Sequence, residues 1–338
     1  MQLWGHCRTC KSRRGLRRHS AAIVAGLRPQ SVAQYQRVLY PLLVWLQQIG
    51  VRPEHPYEWD DLLCEYRSGS DGAPVVAKSN FEKTLAAIER VLPHVKGQLG
   101  LAHAELNSWK VAVKPRHAVP LTPPHAFLLA EAFLNMGMPL VAAALLLQCL
   151  TGLRPGELLG LRREHLLPPW AIPGGCLFAT LLLGTSHGTK SGRPQSVRVD
   201  SPLGIWLVTL LHHILEPGAA LTHLHTLAGY AYLLQVAARK VHPSLAAVGW
   251  KPHSRRAGFC TWLHLHGLPA GDIMETTRHI SIRSFRIYLD TQAVTAGQIG
   301  VSLQPWQRYA EALMTSLPHR LHARLMAGRE MIYKNATA

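Results

Sequence analysis

The sequence predicts a mainly α-helical protein with one small β-sheet, arranged as two folded domains. Three observations carry that expectation. Apolar residues recur at three- and four-residue spacing through most of the 338 residues, the period of a helix with one buried face. β-Compatible residues concentrate in one pair of segments, Cys176–Leu183 and Gln195–Val199, on either side of the turn-like GTSHGTKSGRP. A stretch with four prolines, KPRHAVPLTPP at Lys114–Pro124, blocks continuous helix and reads as an interdomain linker. A chain of this length also suggests about two domains, at roughly 150 residues each.

Taken in order, residues 1–27 form a basic, flexible arm: six of the residues from Arg8 to Arg18 are Lys or Arg, and no acidic residue precedes Glu54. Such a head suits a DNA-tracking arm, a nuclear-import patch, an Arg-rich transit segment or a plain solvated tail. His6, Cys7, Cys10 and His19 imitate a zinc set, but a lone C-x-x-C lacks the second well-spaced pair a structural zinc site needs. Residues 28–113 read as a small helical domain. Ser31–Gln48 carries Val32, Tyr35, Val38, Leu39, Leu42, Leu43 and Leu46 on one face, with Ser31 as N-cap and Gly50 as stop. Further helices are expected near 57–67, 76–94 and 101–112. After the linker, residues 125–300 form the second domain. Helices are expected at 125–135, 139–150 and just after Arg154, then the two strands, then helices at 202–215, 227–240, 254–266 and 281–289. Residues 301–338 form a helical tail, broken near Pro318.

Charge narrows the partner. Lys and Arg number 36 against 19 Asp and Glu, a formal +17, so the chain suits a polyanion, nucleic acid or an anionic membrane. Arginine supplies 26 of the 36, and its planar fork binds phosphate bidentately where lysine offers a point charge. With 48% hydrophobic residues the chain buries a core, which excludes a wholly disordered basic tail protein. The most continuous apolar run, Pro139–Leu150, falls short of the roughly 20 residues that span a bilayer and reads as a buried helix. The six scattered cysteines point to reduced thiols in the cytosol or nucleus.

Three segments hold the residues that chemistry on a phosphodiester needs. In TGLRPGELLGL (Thr151–Leu161), Pro155 suits a first helical turn, so Arg154 stands at a helix entry and Glu157 can orient its guanidinium. Taken alone this is an ordinary surface pair. In PHSRRAGFCTWLHLHG (Pro252–Gly267), His253 and Arg256 are three apart, which aims an acid/base group and an anion clamp in one direction. A plain basic face reads the same way. In TRHISIRSFRIYLD (Thr277–Asp290), His279 precedes Tyr288 by nine residues, with Ile280, Ile282, Phe285 and Ile287 available for packing; a tyrosine there is ordinarily a core or rim residue.

In order, T-G-L-R-P-G-E, H-S-R-R, and His279 followed by Tyr288 resemble the motifs of the tyrosine recombinases. The resemblance covers roughly residues 28–300 and implies a helical core-binding domain followed by a mixed α/β catalytic domain. It implies Arg154, Glu157, Lys190, His253, Arg256, His279 and Tyr288 as the catalytic set. The H-x-x-R spacing selects Arg256 over Arg255, and Lys190, the only lysine between Lys114 and Lys240, answers to the family's lysine in a turn between two strands. Tyr288 would attack a DNA phosphorus to give a 3′-phosphotyrosyl bond. Neither metal nor ATP is implied, and the partners are double-stranded DNA and further copies of the chain, a dimer on one site and a tetramer on two. The helix after Tyr288 docks on a neighbour in such assemblies, or else on its own domain. Two departures stand out: Arg278 where many members have Gly before the second histidine, and Arg255 where a hydrophobic residue is common. They bring the chain closer to recombinases of eukaryotic mobile elements such as cryptons, implying a nuclear location, or a cytoplasmic one in a prokaryote. Alternatives are a domesticated DNA-binding protein without turnover, a type IB topoisomerase-like enzyme, and a basic helical protein for RNA or membrane.

Overall fold

The computed structural model describes residue 27 and residues 29–113, 119–184, 194–283, 285–286, 288–289 and 307–336. Residues 1–26 of the basic arm, with His6, Cys7, Cys10 and His19, lie outside them, as do Lys190 and residues 114–118 of the expected linker. The chain divides into two compact units between residues 116 and 117.

In the first unit, α1 (Pro29–Gln48), α2 (Pro56–Ser68), α3 (Lys78–Val91) and α4 (Gly100–Ala112) surround a core of Leu42, Trp45, Leu63, Phe81, Leu85 and Ile88. The helix expected from an N-cap at Ser31 starts three residues earlier, at Pro29, because proline is favoured where the first N–H has no helical acceptor. Gly50 ends the segment with φ 72°, a left-handed conformation that glycine adopts without strain. Asp60, almost fully buried, accepts from the Leu101 and Ala102 N–H groups at 2.9 and 2.8 Å, so it closes the open end of α4.

The second unit is built on α5 (Pro123–Asn135) and α6 (Pro139–Thr151), both buried along nearly their whole length. Pro120–Pro123, read from sequence as linker, is buried here: Leu121 donates to the Ser254 carbonyl at 2.8 Å, and Pro123 occupies the first turn of α5. A short α7 (Pro155–Leu159) follows, then three antiparallel strands in the order β1 (Leu166–Leu167), β2 (Ala179–Leu183), β3 (Gln195–Val199). The pairing of Leu181 with Val197 sends one apolar face toward α8 (Pro202–Ile214) and α6. α9 (Leu227–Val241) and α10 (Pro243–Ala247) lead to α11 (Ser254–Leu265) and α12 (Ala270–Thr277), and the described residues of 282–289 are helical.

The last helix corrects the expected break. α13 runs unbroken from Gln307 to Ala336 through Pro318. Leu313, Leu317, Leu321 and Leu325, at four-residue intervals on both sides of the proline, are buried in the unit's own core. At roughly 1.5–3 kcal/mol for each buried leucine, that stripe outweighs the ~3 kcal/mol of a lost helical hydrogen bond. Glu131 of α5 accepts from both Tyr309 and Arg320, which fixes the helix against its own unit. No described helix is long and apolar enough to cross a membrane.

Candidate active site

The site forms where the C-terminus of α6, the start of α7, the start of α11 and the turn after α12 meet. Gly152 caps α6 with φ 60°, and a Cβ there would stand 2.5 Å from Phe259 Cδ1, so the position admits only glycine without displacement. Its carbonyl accepts from Arg256 Nη1 at 2.7 Å. Behind the loop, Tyr230 donates to Gln148 Oε1 at 2.9 Å and Gln148 Nε2 donates to the Leu153 carbonyl at 3.0 Å. This buried polar pair fixes the backbone that delivers Arg154. α11 can approach because Gly258 has no side chain: a Cβ would lie 2.0 Å from the Leu121 carbonyl oxygen.

Glu157 sits at the third position of α7, where its Oε2 accepts from the Arg154 N–H at 2.8 Å and its Oε1 accepts from Arg154 Nη1 at 2.7 Å. Oε2 also accepts from Arg278 Nη2 at 2.7 Å. Burial pushes the Glu157 carboxyl up, but Arg278, the Arg154 N–H and the Arg154 guanidinium together outweigh burial and hold it below the usual carboxylate range. It is therefore an anion shared between two guanidiniums.

Arg255 and Arg256 are both buried but face different surroundings. Arg255 donates to the Cys149 carbonyl at 3.2 Å, and its Nε and Nη1 have no hydrogen-bond partner among the described residues. Arg256 donates to Gly152 and to the Thr277 carbonyl, and its Nη2 is 3.5 Å from His279 Nε2. Burial first, then the neighbouring Arg154, lowers the Arg256 pKa to about 10, so it is charged at neutral pH.

His279 is held at a turn. Arg278 adopts φ 57°, ψ 45° after α12, and the Arg278 and His279 N–H groups return to Glu275 and Met274 at 3.0 and 2.8 Å. The Thr277 hydroxyl donates to the Ile273 carbonyl at 2.5 Å and therefore accepts from His279 Nδ1, 2.6 Å away. Burial, then Arg256, Arg154 and Arg278, lowers the His279 pKa to about 4. The imidazole is neutral at pH 7, its only N–H is spent on Thr277, and Nε2 is left as an acceptor. The Tyr288 ring lies 5.3 Å from the His279 ring, and Tyr288 packs on a small cluster of Cys260, Ile273 and Phe285. Ile280 and Ile282, expected to pack, are exposed at 87% and 47%, because the left-handed bend turns them outward and leaves Phe285 to fill the cluster.

Of the sequence-predicted set, the structure thus brings together Arg154, Glu157, Arg256, His279 and Tyr288. Lys190 lies outside the described residues. His253, the N-cap of α11, has helical backbone angles of φ −75° and ψ −16° and is exposed, while Arg256, three residues on, is buried. Sequence reasoning missed Thr277 and treated Arg278 only as a departure, although a charged residue in place of a turn glycine was the available signal.

No family model matches the chain, and no curated protein does. Solved structures are similar to it over most of its length. One is XerA recombinase, at 12% identity and a TM-score of 0.39, covering 85% of this chain and 99% of that one. Another is the Tn1549 transposon integrase in complex with transposon right end DNA, at 17% identity and a TM-score of 0.40, covering 74% and 94%. With TM-scores this low, the site rests on its own residues.

Proposed function

We propose that the protein is a site-specific DNA recombinase that cuts and rejoins strands through a tyrosyl intermediate. The observation that carries this reading is the convergence of Arg154, Glu157, Arg256, His279 and Tyr288, drawn from segments more than a hundred residues apart, on one partly open corner. An ordinary basic surface has no reason to bury Arg256 beside a tyrosine and a half-buried Arg154.

Tyr288 Oη attacks the scissile phosphorus, the P–O5′ bond breaks, and a 3′-phosphotyrosyl bond forms with the phosphodiester energy retained. The phenolic proton passes to a phosphate oxygen or to water, and His279, its ring 5.3 Å from the tyrosine ring, positions the nucleophile. Arg154 and Arg256 brace the non-bridging oxygens as charge develops, the task of a divalent metal in many nucleases. Glu157 holds Arg154 in place. By resemblance, Lys190 protonates the departing 5′-oxygen and His253 gives acid/base support. Attack by a 5′-hydroxyl of another strand reverses the step and exchanges strands. Residues 28–113 and 125–300 act as core-binding and catalytic domains on double-stranded DNA, as a dimer on one site and a tetramer on two. The +17 charge makes affinity fall steeply with salt.

The test traps the intermediate. Wild-type protein becomes covalently attached to a nicked suicide duplex carrying its site, and Tyr288→Phe abolishes attachment while leaving binding intact. Attachment that survives in Tyr288→Phe refutes the nucleophile. Relaxation of supercoiled DNA with no specific site assigns a type IB topoisomerase-like activity instead.

A further inference from the structure

We infer that Arg278 is a positioning residue that shares Glu157 with the catalytic Arg154 and so leaves a net positive charge at the clamp. This deepens the recombinase reading and rests on it.

Position 278 is the left-handed turn residue, φ 57° and ψ 45°, where glycine is the comfortable choice and an arginine is strained. A strained residue persists where its side chain or backbone is over-determined by its surroundings, and here both are. The guanidinium is only 11% exposed and gives Nη2 to Glu157 Oε2 at 2.7 Å. The backbone of the same turn anchors both clamp arginines, since the Arg278 carbonyl accepts from Arg154 Nη2 at 3.2 Å and the adjacent Thr277 carbonyl accepts from Arg256 Nη2.

Charge decides what the side chain adds. Arg154 and Glu157 alone form a neutral pair, which has little field to offer a phosphate. With Arg278 the group is two guanidiniums against one carboxylate, a net +1, and Glu157 accepts from Arg278 through Oε2 as well as from Arg154 through Oε1. Arg278 Nε and Nη1 have no hydrogen-bond partner among the described residues, so nothing else there offsets its charge. Removing Arg278 leaves the Arg154 N–H as the remaining donor to Glu157 Oε2 and takes one positive charge from the group, which lowers the charge the clamp presents as the transition state forms.

The experiment is a cycle of four proteins: wild type, Arg278→Gly, Glu157→Gln and the double variant. Glycine keeps the turn, so it isolates the side chain. Single-turnover attachment to the suicide duplex is expected to slow about tenfold or more in Arg278→Gly, the size of losing one charge-assisted contact. Arg278→Lys is expected to restore most of the rate. In the Glu157→Gln background the Arg278→Gly change should cost markedly less than in wild type, because Arg154 with no carboxylate beside it still leaves a net +1. A residue serving only the turn would cost the same in both backgrounds, and that result overturns the inference, as does Arg278→Gly cleaving at the wild-type rate. If wild type forms no adduct at all, the recombinase reading fails by itself. The same four proteins are then compared for the rise in melting temperature given by inorganic phosphate. A rise lost in Arg278→Gly but unaffected by the same change in the Glu157→Gln background supports the role, and equal losses refute it.

Discussion

Gly152 joins stability to the site, and its replacement by alanine has an effect whose parts can be separated. Two costs add. The residue sits at φ 60°, where a Cβ meets its own backbone at roughly 1–2 kcal/mol. The same Cβ would be 2.5 and 2.9 Å from Phe259 Cδ1 and Cε1, inside a packed ring edge that is itself buried. Overpacking of that kind costs typically about 1–3 kcal/mol, so Gly152→Ala should destabilise by about 2–5 kcal/mol in total. Gly137 provides an internal control. It lies in the same unit with φ 74° and has nothing within 4 Å of its missing Cβ, so Gly137→Ala carries only the backbone cost, about 1–2 kcal/mol. For a domain of about this size each kcal/mol moves the melting temperature by roughly 2–4 °C. Differential scanning calorimetry should therefore place Gly152→Ala about 4–20 °C below wild type and several degrees below Gly137→Ala. Equal melting temperatures for the two variants would refute the steric account of the T-G pair. Because the Gly152 carbonyl also accepts from Arg256, surviving Gly152→Ala protein should cleave more slowly than its loss of stability explains.

Other outcomes follow from the same geometry. Arg154→Ala or Arg256→Ala should each slow covalent attachment by on the order of 10²–10³-fold, the scale for losing one oxyanion donor, and an unaltered single-turnover rate in either would remove it from the phosphate clamp. His279 has a folded pKa lowered to about 4 from 6.5, so the unfolded chain takes up its proton first. Stability from this group is complete above pH 6.5 and is lost as the pH falls toward 4; thermal melts of wild type should show this slope and those of His279→Gln should lack it. Glu157 is shifted in the same direction, below 4.5 in the fold, so its stabilisation is present above about pH 4.5 and disappears as acid protonates it; Glu157→Gln should flatten the melting curve only in that lower range. Leu317→Ala, at a fully buried position of α13, should cost about 2–5 kcal/mol in denaturant titration. A near-zero cost there would mean that the helix docks elsewhere than on its own unit in solution.

Regular elements were legible where one periodicity filled a long segment. The 3.6-residue stripe of α1 and the near-continuous apolar run of α6 could only be amphipathic and buried helices, and β3 was bounded on both sides by turn residues. Short elements were not legible: two residues of β1 exist only because Leu181 and Thr180 lie beside them, and α12, AGDIMETT, carries too little apolar pattern to announce itself. Pro318 misled because local propensity argues for a break, while the leucines that carry the helix through it draw their energy from partners far along the chain.

The site divides in the same way. By itself the sequence determined which motifs are present, because the identities and spacing of Arg154, Glu157, Arg256, His279 and Tyr288 are local facts. Only the tertiary structure decided how those groups are charged and aimed. Arg255 and Arg256 are neighbours in sequence, yet one turns to the Cys149 carbonyl and the other to Gly152 and Thr277. Arg278 reads as an oddity until Glu157, 121 residues away, is found against it. His279 becomes a neutral acceptor through Thr277 and burial. Each of these depends on desolvation and on partners brought close by folding, and electrostatic energies follow distance in space rather than separation along the chain.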